Sequence, residues 1–128
     1  MLKLLVLFLI IHSQSLKSTE FENAWLNEVN ELRKLERTKP LVLDRRLSAK
    51  CEKYAKKLAK TKIFLHDPKL KNDSAENIAM SSDPSINPIL IWKNSSGHRR
   101  NMLDRDFRFV GAAMATNGEE WFYVMRLK

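Results

Sequence analysis

The sequence predicts an α+β sandwich in a single domain. Three observations carry this reading. Helical periodicity fills the first half of the chain. Two β-patterned runs close it, with Asn117-Gly118 between them. No strand–helix alternation repeats along the way, so the helices-then-hairpin order excludes a doubly wound α/β sheet.

The first residues have the layout of a secretory signal peptide. Met1-Leu2-Lys3 is a short positive start, Leu4 to Ile11 is an unbroken apolar run, and Ser13-Gln14-Ser15 supplies small residues for cleavage. The apolar run is too short to span a bilayer. Residues 1–17 are therefore expected to be removed and residues 18–128 to form the domain, which would be secreted. His12 leaves with the leader, and His66 and His98 are the histidines of the mature chain.

Thr19-Glu20-Phe21-Glu22 has the spacing of a capping box. Phe21, Trp25, Val29 and Leu32 follow at steps of four, four and three, on one helical stripe. This first helix is expected to reach about Arg37 and to stop ahead of Pro40, because proline disfavours a helical residue before it. "KPLVLD" reads as an extended link. Asp44 is placed to cap a second helix whose apolar side is Leu47, Cys51, Tyr54, Ala55 and Leu58, with Ile63 at or past its end. "SAENIAM" reads as a helical turn or a short strand. The prolines of "SSDPSINP" forbid regular structure. Ile89 to Asn94 is expected to be a short third helix ending near Gly97. Phe107–Ala115 and Glu120–Leu127 are the two strands.

Charge is concentrated. The chain carries 23 Lys+Arg against 15 Asp+Glu, a net +8. Between Arg33 and Lys71 alone the count is 14 against 4, leaving 9 against 11 elsewhere. Arg46, Lys50, Lys53, Lys57 and Lys60 share the solvent side of the second helix. That face suits an anionic surface, phospholipid or sulfated glycan, or else is simply solvated. Nucleic acid is disfavoured as a partner, because a secretory leader precedes the domain and no aromatic residues interleave with the basic ones. Cys51 is the one cysteine, so no intramolecular disulfide can form. Its place on the apolar stripe favours a buried thiol in a monomer over a Cys51-linked dimer.

With the elements placed, a set of residues falls into a known order. Asn30, Arg33, Pro40, Leu41, Asp44, Leu47 and Ala55 open it. His66, Ala75-Glu76-Asn77, Trp92 and Gly97-His98 follow, and "SSGHRRNML" leads into "VGAAMA". This resembles the CAP superfamily (cysteine-rich secretory proteins, antigen 5, pathogenesis-related 1; the SCP domain), in its cysteine-poor branch. The resemblance covers about Phe21 to Leu127. It implies a three-layer α-β-α sandwich around a small antiparallel sheet, and a cleft where His66, Glu76 and His98 converge. The chain departs from the family pattern at three points. Ala75 replaces the glycine of Gly-Glu-Asn, Ser95 stands where the second family glutamate would be, and the disulfides are missing.

The expected binding cleft is therefore His66, Glu76, Ser95 and His98. His66 and His98 are the candidate metal ligands, with Glu76 as neighbour. Two imidazoles suit zinc or a similar ion in an open site. The sequence holds neither H-x-x-x-H nor H-E-x-x-H, and no cofactor is required. The other reading is a hydrogen bond between His98 and Glu76 that only holds the hairpin against the helices. A serine-type or metal-dependent hydrolase, with Ser95 or Ser96 beside His98, is the alternative from another class. The functional expectation is extracellular binding of a lipid or sterol, a protein or an anionic glycan. Met80, Ile86, Ile89 and Leu90 are candidates to line an apolar groove. Asn72 and Asn94 head the two glycosylation sequons.

Overall fold

The computed structural model describes residues 20–128. The leader and Thr19 of the capping box lie outside the described residues. The order of elements is α1 (20–35), β1 (Val42–Leu43), α2 (Arg45–Thr61), β2 (Ala75–Ser81), α3 (Pro88–Lys93), α4 (Ser96–Leu103), β3 (Phe109–Thr116) and β4 (Trp121–Leu127). The sheet runs β1-β3-β4-β2. Its three long strands are antiparallel, and β1 adds a two-residue parallel edge.

Strand alternation sorts the sheet into two faces. Val110, Ala112, Tyr123, Met125 and Leu127 pack with Trp25, Val29, Ile89, Trp92 and Met102 from α1, α3 and α4. Ala113, Phe122, Val124 and Ile78 pack with Cys51, Tyr54, Ala55 and Leu58 from α2. The result is a three-layer α-β-α sandwich. Trp92 is fully buried, meets Trp25 edge-on at 6.2 Å, and donates its indole N–H to the Ile78 carbonyl at 3.1 Å.

Local chemistry sets the element ends. α1 stops at residue 35, and Arg37 turns the chain at φ 53. The link expected after it contains β1. Asn30 holds that link as a strand neighbour would, accepting from the Leu41 N–H at 2.8 Å and donating to its carbonyl at 3.1 Å. Asp44 closes β1 with its backbone, its N–H donating to Val110 at 2.8 Å. Its carboxylate then caps α2 through the Arg46 and Leu47 N–H groups. α2 ends at Lys62 in the left-handed region, with Ile63 beyond it and exposed.

Where the sequence left helix or strand open, "SAENIAM" is strand β2, because its register with β4 buries Glu76 to Ala79. The third helix does not run on toward Gly97. The chain breaks at Asn94 and restarts as α4, so His98 lies inside a helix and not in a loop. The hairpin loop holds four residues, since Thr116 pairs with Trp121. Asn117 Oδ1 accepts from the Glu119 and Glu120 N–H groups, and Gly118 takes φ +94.

Gly111 lets α2 approach the sheet. A Cβ there would stand 2.3 Å from the backbone nitrogen of Ser48. Arg33, fully buried on α1, donates to the carbonyls of Lys39, Met102, Asp104 and Phe107. One guanidinium thereby satisfies four backbone acceptors and fixes the turn that delivers β3.

Candidate functional site

Two features stand out on the outer side of α2 and at the free edge of β2. The first is a polar cluster. Glu76 is on β2 opposite Arg126 on β4, and its side chain has no exposure. One carboxylate oxygen accepts from Arg126 at 2.9 Å. The other accepts from the Asp67 N–H at 3.0 Å and shares a 3.0 Å hydrogen bond with His66 Nδ1. Because the carboxylate can only accept, His66 carries its proton on Nδ1. Arg126 also reaches Asp67 at 2.8 Å and lies 5.1 Å over the Tyr54 ring. Burial pushes the Arg126 guanidinium down, but Glu76 and Asp67 more than offset this and hold its proton more tightly than usual.

His98 reaches the same edge from the other face, on α4. Asn77 donates to the His98 carbonyl at 3.0 Å and accepts from the Asn101 amide at 2.9 Å, which ties α4 to β2. The His98 Nδ1 shares a 2.9 Å hydrogen bond with Ser95 Oγ. Burial and the nearby His66 hold the His98 imidazole below the ordinary histidine range. The two histidines are thus close enough to feel each other's charge. Each has its own partner, and the contemplated His98–Glu76 hydrogen bond is replaced by His66–Glu76 and His98–Ser95 pairs. β2 separates the two, because Glu76 faces α2 while Asn77 faces α4.

What this cluster can do follows from its donors. Among the described residues no three His, Cys, Asp or Glu side chains converge as a metal-holding group. Glu76 is committed to Arg126, the Asp67 amide and His66, so a cation here would have to rely on imidazole Nε2 atoms and water. The Ser95–His98 bond admits two proton positions. A metal at His98 Nε2 requires Nδ1–H to donate to Ser95, whereas nucleophile activation requires Ser95 to donate to Nδ1. Among the described residues no carboxylate hydrogen-bonds His98, so the orienting third member of a hydrolytic set is missing.

The second feature is a groove of about 830 Å³ along α2. Lys50, Lys53, Lys56, Lys57 and Lys60 of α2 line one side, and Lys69 and Lys71 of the α2–β2 loop line the other. Tyr54 and Arg126 line it as well, and Asp67 belongs both to it and to the Arg126 network. Four of the five basic residues of the face expected to meet an anionic surface are in this wall. Arg46 is exposed but does not line the groove. Lys56, Lys69, Lys71 and Lys128 were not foreseen, since the sequence does not say which helix face the α2–β2 loop and the end of β4 come to lie beside. Arg126 did leave a signal: a lone cation in "WFYVMRL" needs a buried partner if that run is a strand. The suggested apolar groove does not form from its four residues. Ile89 is core at 1% exposure, while Met80, Ile86 and Leu90 face solvent and do not line the groove.

Comparison with known proteins places the arrangement. A stretch of 48 residues is 33% identical to the uncharacterized protein YkwD of Bacillus subtilis, covering 38% of this chain and 19% of that protein. The chain thus spans about a fifth of the curated relative it matches. An extracellular SCP-domain protein of Bacillus anthracis superposes with a TM-score of 0.71 at 21% identity, over 86% of this chain and 40% of that one. An outer surface protein of Borrelia burgdorferi gives 0.67 at 21% identity, over 82% and 89%. Both likenesses concern the fold. The family model described as CAP, the cysteine-rich secretory protein family, matches residues 26–127, and the chain belongs to that family.

Proposed function

We propose that this CAP-domain protein is secreted and works by binding an anionic ligand in the groove along α2. The observation that supports it is the groove itself: eight lysines line it, together with an arginine and a tyrosine. Converging cations with so few carboxylates among them raise the local concentration of anions and bind them at a cost in salt sensitivity. Phosphate or sulfate groups on a lipid or glycan have the matching chemistry. Among the described residues no helix is long and apolar enough to cross a membrane.

The test is retention on heparin and on anionic vesicles as salt is raised. Retention should fall steeply. Lys50→Glu with Lys53→Glu should abolish it without lowering the melting temperature, since both side chains are exposed. No retention at low salt refutes the reading.

A second reading is supported by one geometric fact: each histidine has its Nδ1 tied, His66 to Glu76 and His98 to Ser95, which leaves Nε2 as the atom of each ring that could take a divalent ion. Zinc with water completing its shell would bind there weakly, at micromolar Kd or above. Binding should weaken on acidification, because protonated imidazole cannot ligate. Calorimetry on His66→Ala and His98→Ala should show each removing it, with Ser95→Ala weakening it because the His98 ring loses the bond that orients it. Zinc affinity that survives both histidine changes rules the site out.

A further inference from the structure

We infer that the α2 groove docks on an anionic lipid bilayer and that Ile63-Phe64-Leu65 is the segment that enters the hydrocarbon. This rests on the anionic-ligand reading above and names the ligand's source.

The observation is three successive apolar residues held in solvent. Ile63 is 60% exposed, Phe64 40% and Leu65 65%. Scattered exposed apolar side chains are ordinary, but a contiguous run on a monomer marks a contact surface. The backbone beneath them is fixed. Lys62 ends α2 at φ 56, its N–H donating to Leu58 at 2.9 Å, and Ile63 N–H donates to Thr61 Oγ1 at 3.3 Å. The Tyr54 hydroxyl donates to the Leu65 carbonyl. These bonds restrain a segment that buries little of its own side-chain surface.

Its position couples it to the cations. In sequence the segment joins Lys60 on one groove wall to Asp67 and Lys69 on the other. Through Leu65 it touches Tyr54, which lines the groove. An apolar segment is therefore held next to a lysine-walled groove, tied to its lining through the Tyr54–Leu65 bond. A glycan would use the lysines and leave the three apolar side chains wet. A bilayer with acidic headgroups uses both, taking phosphates between the lysines and the side chains below the headgroup plane.

The experiment is co-sedimentation of the mature protein with vesicles of phosphatidylcholine and phosphatidylglycerol, beside phosphatidylcholine alone and heparin. Binding is expected to the mixed vesicles and not to the neutral ones. Changing Ile63, Phe64 and Leu65 together to Ser should weaken vesicle binding by about tenfold or more, with heparin retention unchanged. Leu65→Trp should show a blue-shifted emission on mixed vesicles, a shift that headgroup contact alone would not give. Circular dichroism melting confirms that the variants fold. If the triple Ser variant binds mixed vesicles like the wild type, the insertion is wrong and the anionic groove stands. Heparin retention without vesicle binding likewise overturns only this inference. Retention on neither overturns both.

Discussion

Glu76 on β2 and Arg126 on β4 stand opposite each other in the sheet, and their side chains meet at 2.9 Å with the carboxylate wholly buried. The pair joins the two features of this surface. Its carboxylate orients His66 at the β2 edge, and its guanidinium lines the lysine groove. The residue that the sequence marked as a cleft member thus serves first as the anchor of a buried charge network.

That role sets the first prediction. Glu76→Ala leaves Arg126 buried with only Asp67 as its charge partner, and should cost about 3–5 kcal/mol in urea unfolding. The double change Glu76→Leu with Arg126→Met should cost less than the single one, because no charge is then stranded. A double variant less stable than Glu76→Ala would show that the network supplies net stability of its own.

The second concerns how α2 sits on the sheet. Gly111→Ala places a methyl 2.3–2.4 Å from Ser48 N and Leu47 C, both backbone atoms that cannot rotate away. The helix must move, at about 3 kcal/mol or more. Gly97→Ala, with nothing within 4 Å on an exposed helical position, should instead stabilise by about 0.5–1 kcal/mol. Thermal melting of the two variants reads both signs.

Cys51 gives a pH prediction. Burial pushes its thiol up from 9.0 to about 12, with Arg126 pulling the other way. Between those values the unfolded chain releases a proton that the native chain keeps. Stability must therefore fall as pH rises from about 9, by up to about 1.4 kcal/mol per pH unit. Cys51→Ala should flatten that slope. Native-state thiol labelling should be slow and should speed up only in denaturant, and fast native labelling would contradict the burial.

Asp44 behaves oppositely. The Leu47 N–H hydrogen bond holds its carboxyl below the usual range, helped by Lys128 and opposed by partial desolvation. The stabilisation is present above the unfolded value near 4 and is lost as pH falls through the lower native one. Asp44→Ala should cost about 1 kcal/mol at neutral pH and almost nothing in strong acid. Paired denaturant curves at the two pH values measure the difference.

Much of the chain was legible because local chemistry fixed it. The stripe Phe21, Trp25, Val29, Leu32 faces inward as its spacing requires, and the Asp44 cap, the buried Cys51 and the Asn117-Gly118 turn are where residue types alone put them. The β1 strand and the strand nature of "SAENIAM" were not legible, because two-residue pairing and edge position are decided by what lies alongside. The restart of the helix at Ser96 was hidden for a similar reason. Its eight residues carry no strong apolar stripe, and Asn77 and Asn101 hold them to β2 by side-chain bonds across 21 and 24 residues.

For the site, the sequence by itself determined the actors: two histidines, one buried-type glutamate, and a helix with a basic face. Only tertiary structure decided their partners. Glu76 joins Arg126 and His66 because β2 registers with β4 and the 66–67 loop returns over that edge. The lysines of α2 become a wall because the same loop brings Lys69 and Lys71 across from them. Helices and turns are settled by neighbours within about four residues. Clefts are settled by contacts whose sequence separation carries no local signal, and these appear only when the chain has closed on itself.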